Sequence, residues 1–267
     1  MDFKSLITFS FYCLIIILQW LRFHEKINIS QNKLITLLII PIALHGYLLY
    51  KWIDTIHGQN LSIINILSLS LWLTTILTVI TFISKKSVYN LLILMIPLTA
   101  ITILPSEFLQ YRGIIIKTVE EPNNLTHIIM FIITLSVLIM AAIQATIVIG
   151  QNYVLKHSSN SKFNHNIIKF LPPLEDTEKF LFKIIDIGFI ILTIAIISVF
   201  LTLKKISFNA NNIHFITLII VFITWILFAV LLYQRKKNGL RGSKVNYVVL
   251  LSVIVLLASF ISHKYMV

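Results

Sequence analysis

The chain has 267 residues, 58% of them hydrophobic and 12% charged, with a formal net charge of +12. Soluble domains run at roughly 45–50% apolar and about 25% charged, so both departures point to a polytopic membrane protein. The lone cysteine, Cys13, lies in an apolar stretch, which excludes a disulfide framework, a CxxC redox pair and a cysteine zinc site.

Eight apolar runs approach or exceed the roughly 20 residues that a membrane-spanning helix needs. They are Ser5–Leu21, Leu34–Ile53, Leu61–Ser84, Val88–Leu104, Thr126–Leu155, Phe182–Leu203, His214–Tyr233 and Val245–His263. The expectation is an all-α bundle of eight transmembrane helices forming a single integral membrane domain over 1–267. The first run lacks a small-residue cleavage motif and leads into further spans, so no cleavable signal peptide is expected. The fourth carries Pro97, a source of a kink. The fifth is long enough to project past the bilayer. A short helix over Thr177–Phe182, after Pro172-Pro173, is expected to feed the sixth.

Fifteen of the 22 Lys and Arg, counting Lys183 just inside the sixth run, belong to the loops after the first, third, fifth and seventh spans, for example Arg22 and Lys26, Lys85 and Lys86, or Arg235–Lys237. Basic loops stay in the cytoplasm, so both termini are expected outside. Anionic lipid and topology account for the positive charge better than nucleic acid does.

The histidines are the candidate chemistry. His24, His157 and His165 lie among polar loop residues and read as solvated. His45 stands eleven residues past Leu34, which at ~1.5 Å per residue is ~16 Å into the second span. Facing lipid there would cost several kcal/mol, so it is expected to face the bundle. It either bonds another helix as a neutral ring, through a serine or a carbonyl, or serves as a ligand or proton relay. The polar turn Gly58-Gln59-Asn60 follows, and Asn60 can cap the third span.

His127 opens the fifth span, on a face with Phe131, Thr134, Leu138, Ala141 and Ala145. His214 opens the seventh, above Thr217, Val221 and Thr224. Two imidazoles from separate helices at one surface can be the axial pair of a haem, or they can anchor helix ends at the interface. As ligands they need partners on the second ring nitrogen, for which Thr126, Gln59 or Asn60 are available. There is no HExxH, GxxxxGK[ST] or GxSxG motif and no paired acid within a span. A catalytic role is therefore not expected, and neither is ion-coupled transport.

Several stretches carry a resemblance. Gly58-Gln59-Asn60-Leu61-Ser62-Ile63-Ile64-Asn65 with Ser68-Leu69, Leu44-His45, His127-Ile128 and Pro172-Pro173-Leu174 with Glu178, Phe182 and Gly188 are four of them. His214 and Gly239-Leu240-Arg241-Gly242 complete the set. Together they resemble the YpjD type of inner-membrane protein, in the cytochrome c assembly superfamily that includes the CcsA and HemX types. The resemblance implies an eight-helix protein that presents haem (b-type and non-covalent) at the outer surface of the inner membrane. His127 and His214 would be the iron ligands. His45 would lie on the haem route or at a second haem, and Gly58, Gln59 and Asn60 would support the site. It also implies partners among cytochrome c assembly or membrane transport proteins. The CcsA type carries a tryptophan-rich outer segment; Pro105–Leu125 has no Trp, as in the YpjD and HemX types, which leaves a haem-binding, regulatory or accessory role open. The alternative is a non-haem accessory or regulatory subunit of a transporter or of haem biosynthesis.

Overall fold

The computed structural model describes residues 2–56, 58–84, 89–108, 115–116, 122–156, 172–202, 213–239 and 242–265. Within these, the side chains at 84, 115–116, 122–125, 127, 199–202, 213–217, 243 and 259–265 are outside the described set. The helices are α1 (Phe3–Phe23), α2 (Gln31–Ile53), α3 (Ile63–Ser84), α4 (Tyr89–Phe108), α5 (Pro122–Lys156), α6 (Leu174–Thr202), α7 (Ile213–Asn238) and α8 (Ser243–Tyr265). Seven of them are long and apolar enough to cross a membrane. The eighth expected span falls on α8, whose described apolar part is Lys244–Ala258. The chain is an all-α polytopic membrane protein. Many large apolar side chains, among them Ile17, Ile39, Ile101, Ile190 and Leu251, are exposed, as a surface whose solvent is lipid requires.

Two expectations need correction. The sixth span has no separate short helix before it: α6 runs unbroken from Leu174, with Glu175 and Asp176 in its first turn, where acids complement the helix dipole. The bundle also carries a small sheet among the described residues, in the order β1 (Asp54–Thr55), β2 (Gly58–Asn60), β3 (Ile115–Ile116). All pairs are antiparallel, with Asp54 opposite Gln59, Gln59 opposite Ile116 and Asn60 opposite Ile115. The chain reverses between β1 and β2 with Gly58 at φ +131°, a conformation that side-chain-bearing residues rarely adopt.

The chain divides into two compact units. The first comprises Met1–Thr118 with Val154–Pro173, and the second Val119–Tyr153 with Leu174–Val267.

In the first unit, α1 packs on α2 and α4, and α3 packs on α2 and α4. Its apolar core includes Ile15, Leu34, Leu38, Leu92, Ile96 and Ile103. Glu107, at the end of α4, caps the start of α1: its carboxylate accepts from the Asp2 backbone N–H at 2.8 Å and from Ser5 Oγ at 2.7 Å. Asp2, the N-cap residue of α1, makes no side-chain capping bond, so this remote carboxylate supplies the bonds of the cap and adds negative charge where the helix N-terminus favours it.

Helices α2 and α3 meet closely at Gly46. A Cβ there would stand 2.8 Å from Trp72 Cζ2. The indole is pinned, since its Nε1–H donates to the Ile42 carbonyl at 2.8 Å. Gly46→Ala is therefore expected to lower stability by about 1–3 kcal/mol through overpacking, read as an earlier unfolding midpoint in detergent.

In the second unit, Thr177 Oγ1 donates to Gln151 Oε1 at 2.9 Å, and Gln144 Nε2 donates to the Thr177 carbonyl at 3.0 Å, joining α5 to α6. Trp225 joins α7 to α6: its Nε1–H donates to Thr193 Oγ1 at 2.8 Å and its ring stacks on Phe189. At the opposite end of α7 the Arg235 guanidinium lies 3.5 Å from the centre of the Phe182 ring.

Candidate functional site

The structure places the expected site residues in two sets. His45 and the Gly58–Asn60 turn belong to the first unit, His127 and His214 to the second.

His45 is fully buried in α2, facing the bundle as expected. Ile53, the last residue of α2, is eight residues further along, about 12 Å at 1.5 Å per residue. Its two ring nitrogens have partners on two other helices: Nδ1 lies 3.4 Å from Tyr12 Oη of α1, and Nε2 lies 3.0 Å from Ser68 Oγ of α3. Ser68 Oγ lies 3.0 Å from Thr102 Oγ1 of α4. Thr102 in turn donates to the Thr99 carbonyl at 2.7 Å.

This chain of bonds assigns the protons. A carbonyl only accepts, so the single proton of Thr102 is committed to Thr99. Ser68 must then donate to Thr102 and accept from His45. The ring therefore carries its hydrogen on Nε2 and presents its lone pair at Nδ1 to the Tyr12 hydroxyl. One turn further along, Thr75 and Thr99 continue the seam at 2.8 Å. Partners of this kind depend on which helices pack together, which is why the sequence predicts a polar partner for His45 without naming Tyr12.

The Gly58–Asn60 turn is held by its own side chains. Asn60 Oδ1 accepts from the Ser62 N–H at 3.2 Å, and Ser62 Oγ accepts from the Asn65 N–H at 3.2 Å. Ser62, not Asn60, is thus the residue that caps α3; Asn60 forms the turn before it. Asn65 Nδ2 closes the loop by donating to the Asn60 carbonyl at 3.1 Å. Gln59 has a side-chain oxygen shielded from solvent and without a hydrogen-bond partner, an acceptor held ready for a donor.

His127 lies in the second turn of α5 and His214 is the second residue of α7. Their side chains, with those of His57 and His263, lie outside the described residues, as do His157 and His165. Backbone register still locates positions 127 and 214. On α5 the positions in line with 127 are Phe131, half-buried, and Thr134, Leu138, Ala141 and Ala145, all buried. On α7 the buried positions among the described residues include Thr224, Phe228 and Leu231, while Val221 and Trp225, nearest in line with 214, are half-buried. Helices α5 and α7 are separated by one span, so helices that each cross once put both histidines at one membrane face. Among the described residues no group of three His, Cys, Asp or Glu side chains could hold a bare metal ion.

Residues 39–266 match the family described as cytochrome C assembly protein. The chain belongs to that family. Inner membrane protein YpjD of Escherichia coli strain K12 is 28% identical to it over 239 residues, which is 87% of this chain and 84% of the relative. The YpjD proteins of strains O6:H1 and O157:H7 match with the same figures. No solved structure matches the chain. The membership bears out the resemblance carried by the Gly58–Asn65 and Pro172–Gly188 motifs.

Proposed function

We propose that this member of the cytochrome c assembly family is a haem-handling protein of the inner membrane. It holds a b-type haem non-covalently at the outer face, with His127 and His214 as the axial ligands. It crosses the membrane eight times with both termini outside. It binds and presents its cofactor and does not itself catalyse a reaction; its partners are cytochrome c assembly or membrane transport proteins. The observation that carries this reading is the placement of positions 127 and 214: each stands near the start of its helix, α5 or α7, within one compact unit. The name of the Escherichia coli relative supports the membrane assigned, and the basic loops support the orientation.

The donor set suits the group. Two imidazoles make a low-spin iron site, and the iron supplies any redox chemistry. The protein's own part is to orient the rings and exclude water. His45 is less suited to ligation in this arrangement, because its lone pair is turned to Tyr12.

The test is haem titration into the purified full-length protein. A Soret band with low-spin visible bands is the expected result. No spectral change on titration overturns the proposal and leaves the accessory-subunit reading.

A further inference from the structure

We propose that the first unit contains a proton path that leads from Glu107, at the end of α4, to Nδ1 of His45 in the membrane interior. The inference is independent of haem binding.

Its first link is seen directly: the Glu107 carboxylate is bonded to Ser5 Oγ at 2.7 Å. Its last link is Tyr12 Oη against His45 Nδ1, the nitrogen that the hydroxyl chain through Ser68 and Thr102 leaves as the acceptor. Between them, Ser5, Thr8 and Tyr12 follow one another along a single face of α1 at three- and four-residue spacing. All three are fully buried. A face meant only for packing would be apolar here, as it becomes one turn further on at Ile15.

A second observation points to water in the same place. Ser106, next to Glu107 and one turn from Thr102 on the same side of α4, is buried with no partner for its hydroxyl. Buried hydroxyls without protein partners are sites for bound water. Water at Ser106 would span the steps between the α1 hydroxyls that are too long for direct bonds.

From His45 toward the β1–β2–β3 end the polar residues of α1 and α4 are Tyr12, Thr8, Ser5, Ser106 and Glu107. Toward the opposite end the buried apolar Ile15, Leu34, Leu38, Leu92 and Ile96 stand beside the buried polar Thr75, Thr99 and Gln19. The groups in direct contact with the His45 ring are Tyr12, Ser68 and Trp52, none of them charged. The charges near the entrance are Asp2, Lys4 and Glu107, with Lys51 and Asp54 at the end of α2. The transfer needs no electrons. A proton from water enters at the Glu107 carboxylate, and each hydroxyl or water takes one proton on its oxygen and releases its own after turning, Ser5 away from Glu107 and Thr8 away from the Lys4 carbonyl to which it donates at 2.8 Å. Nδ1 receives the last, giving an imidazolium.

Exchange of the imidazole carbon-bound hydrogen between the two nitrogens for deuterium reports on this access, because it proceeds through the protonated ring and deuteroxide. Cleavage after Lys33 and Lys51 isolates His45 as the one histidine of its peptide, and cleavage after Arg22 and Lys26 isolates the exposed His24 as an internal clock. The full-length protein in lipid nanodiscs is incubated in deuterium oxide and its peptides are weighed. The expected result is measurable uptake at His45 that slows by about tenfold or more in both Glu107→Gln and Tyr12→Phe, with His24 unchanged, as loss of one bonded link implies. No uptake at His45 over the time in which His24 completes its exchange overturns the proposal. So does uptake that is unchanged or faster in either variant, including any variant that loosens α1 and exposes the ring.

Discussion

Alanine at both His127 and His214 is expected to abolish the low-spin haem spectrum of the purified protein. On the proposed reading a low-spin haem iron would be held by two strong donors, and the second unit would supply one imidazole from α5 and one from α7. An iron–nitrogen bond is about 2 Å, so the two coordinating nitrogens must come within roughly 4 Å of each other when haem is held. Either single replacement leaves one donor. Each is expected to turn the spectrum high-spin and to weaken haem binding by more than the about 10–100-fold that loss of a mere supporting partner costs. The variants should fold, because both positions lie at helix starts, where a lost side chain leaves the bundle interior intact. A double variant that keeps the full low-spin spectrum would show that another pair ligates the iron, with His45 or His57 the next to replace. Ligation by His45 would require its Nδ1 to leave Tyr12, so Tyr12→Phe would then raise haem affinity.

The spans were legible because the bilayer imposes one requirement on every segment that crosses it, an apolar run of sufficient length. Their ends followed less closely. Helix α6 starts at Leu174, eight residues before the expected Phe182, because a helix that projects beyond lipid can be polar, and Glu175–Lys179 reads as a loop by hydropathy. The signal that marks its start is local: two prolines followed by acids in the first turn. The sheet was not legible at all. Strands of two or three residues have no periodicity to read, and β3 comes from a loop more than fifty residues away.

The same division runs through the candidate site. The inward position of His45 followed from the cost of exposing it to lipid, an argument that needs no partner. The identity of Tyr12, Ser68 and Thr102 is a property of how four helices pair, and no spacing within one helix encodes it. Glu107 passed unnoticed as one carboxylate at the end of a span. Its role became visible only once Asp2 proved to make no capping bond of its own and Glu107 to make it instead. The cap of α3 was misplaced by two residues, since Asn60 and Ser62 are both capping types and only the bonded Asn65 N–H distinguishes them.

His45→Leu is expected to lower the stability of the full-length protein by about 1–3 kcal/mol, and His45→Ala by about 3–5 kcal/mol. Leucine nearly fills the volume of the imidazole, so packing survives and the loss is one of hydrogen bonding. Ser68 retains Thr102 as the acceptor of its proton and loses little. Tyr12 has no such alternative, and its buried hydroxyl is left without the acceptor it had. Hydrogen bonds between membrane helices contribute only about 0.6 kcal/mol on average, so the bond itself is a minor part of the loss. The orphaned phenol is the major part, at about 1–3 kcal/mol for a buried polar group left unsatisfied. Alanine adds a cavity to the same defect. The two effects separate in a double-mutant cycle. Tyr12→Phe added to His45→Leu removes the orphan together with its partner, so the double variant should recover most of the stability that His45→Leu loses. The measurement is the unfolding midpoint and slope in a denaturing-detergent titration of each variant. A cycle with no coupling, in which Tyr12→Phe and His45→Leu simply add, would mean that the 3.4 Å approach of Tyr12 to the ring carries no energy. The assignment of Nδ1 as the ring's working acceptor would fall with it.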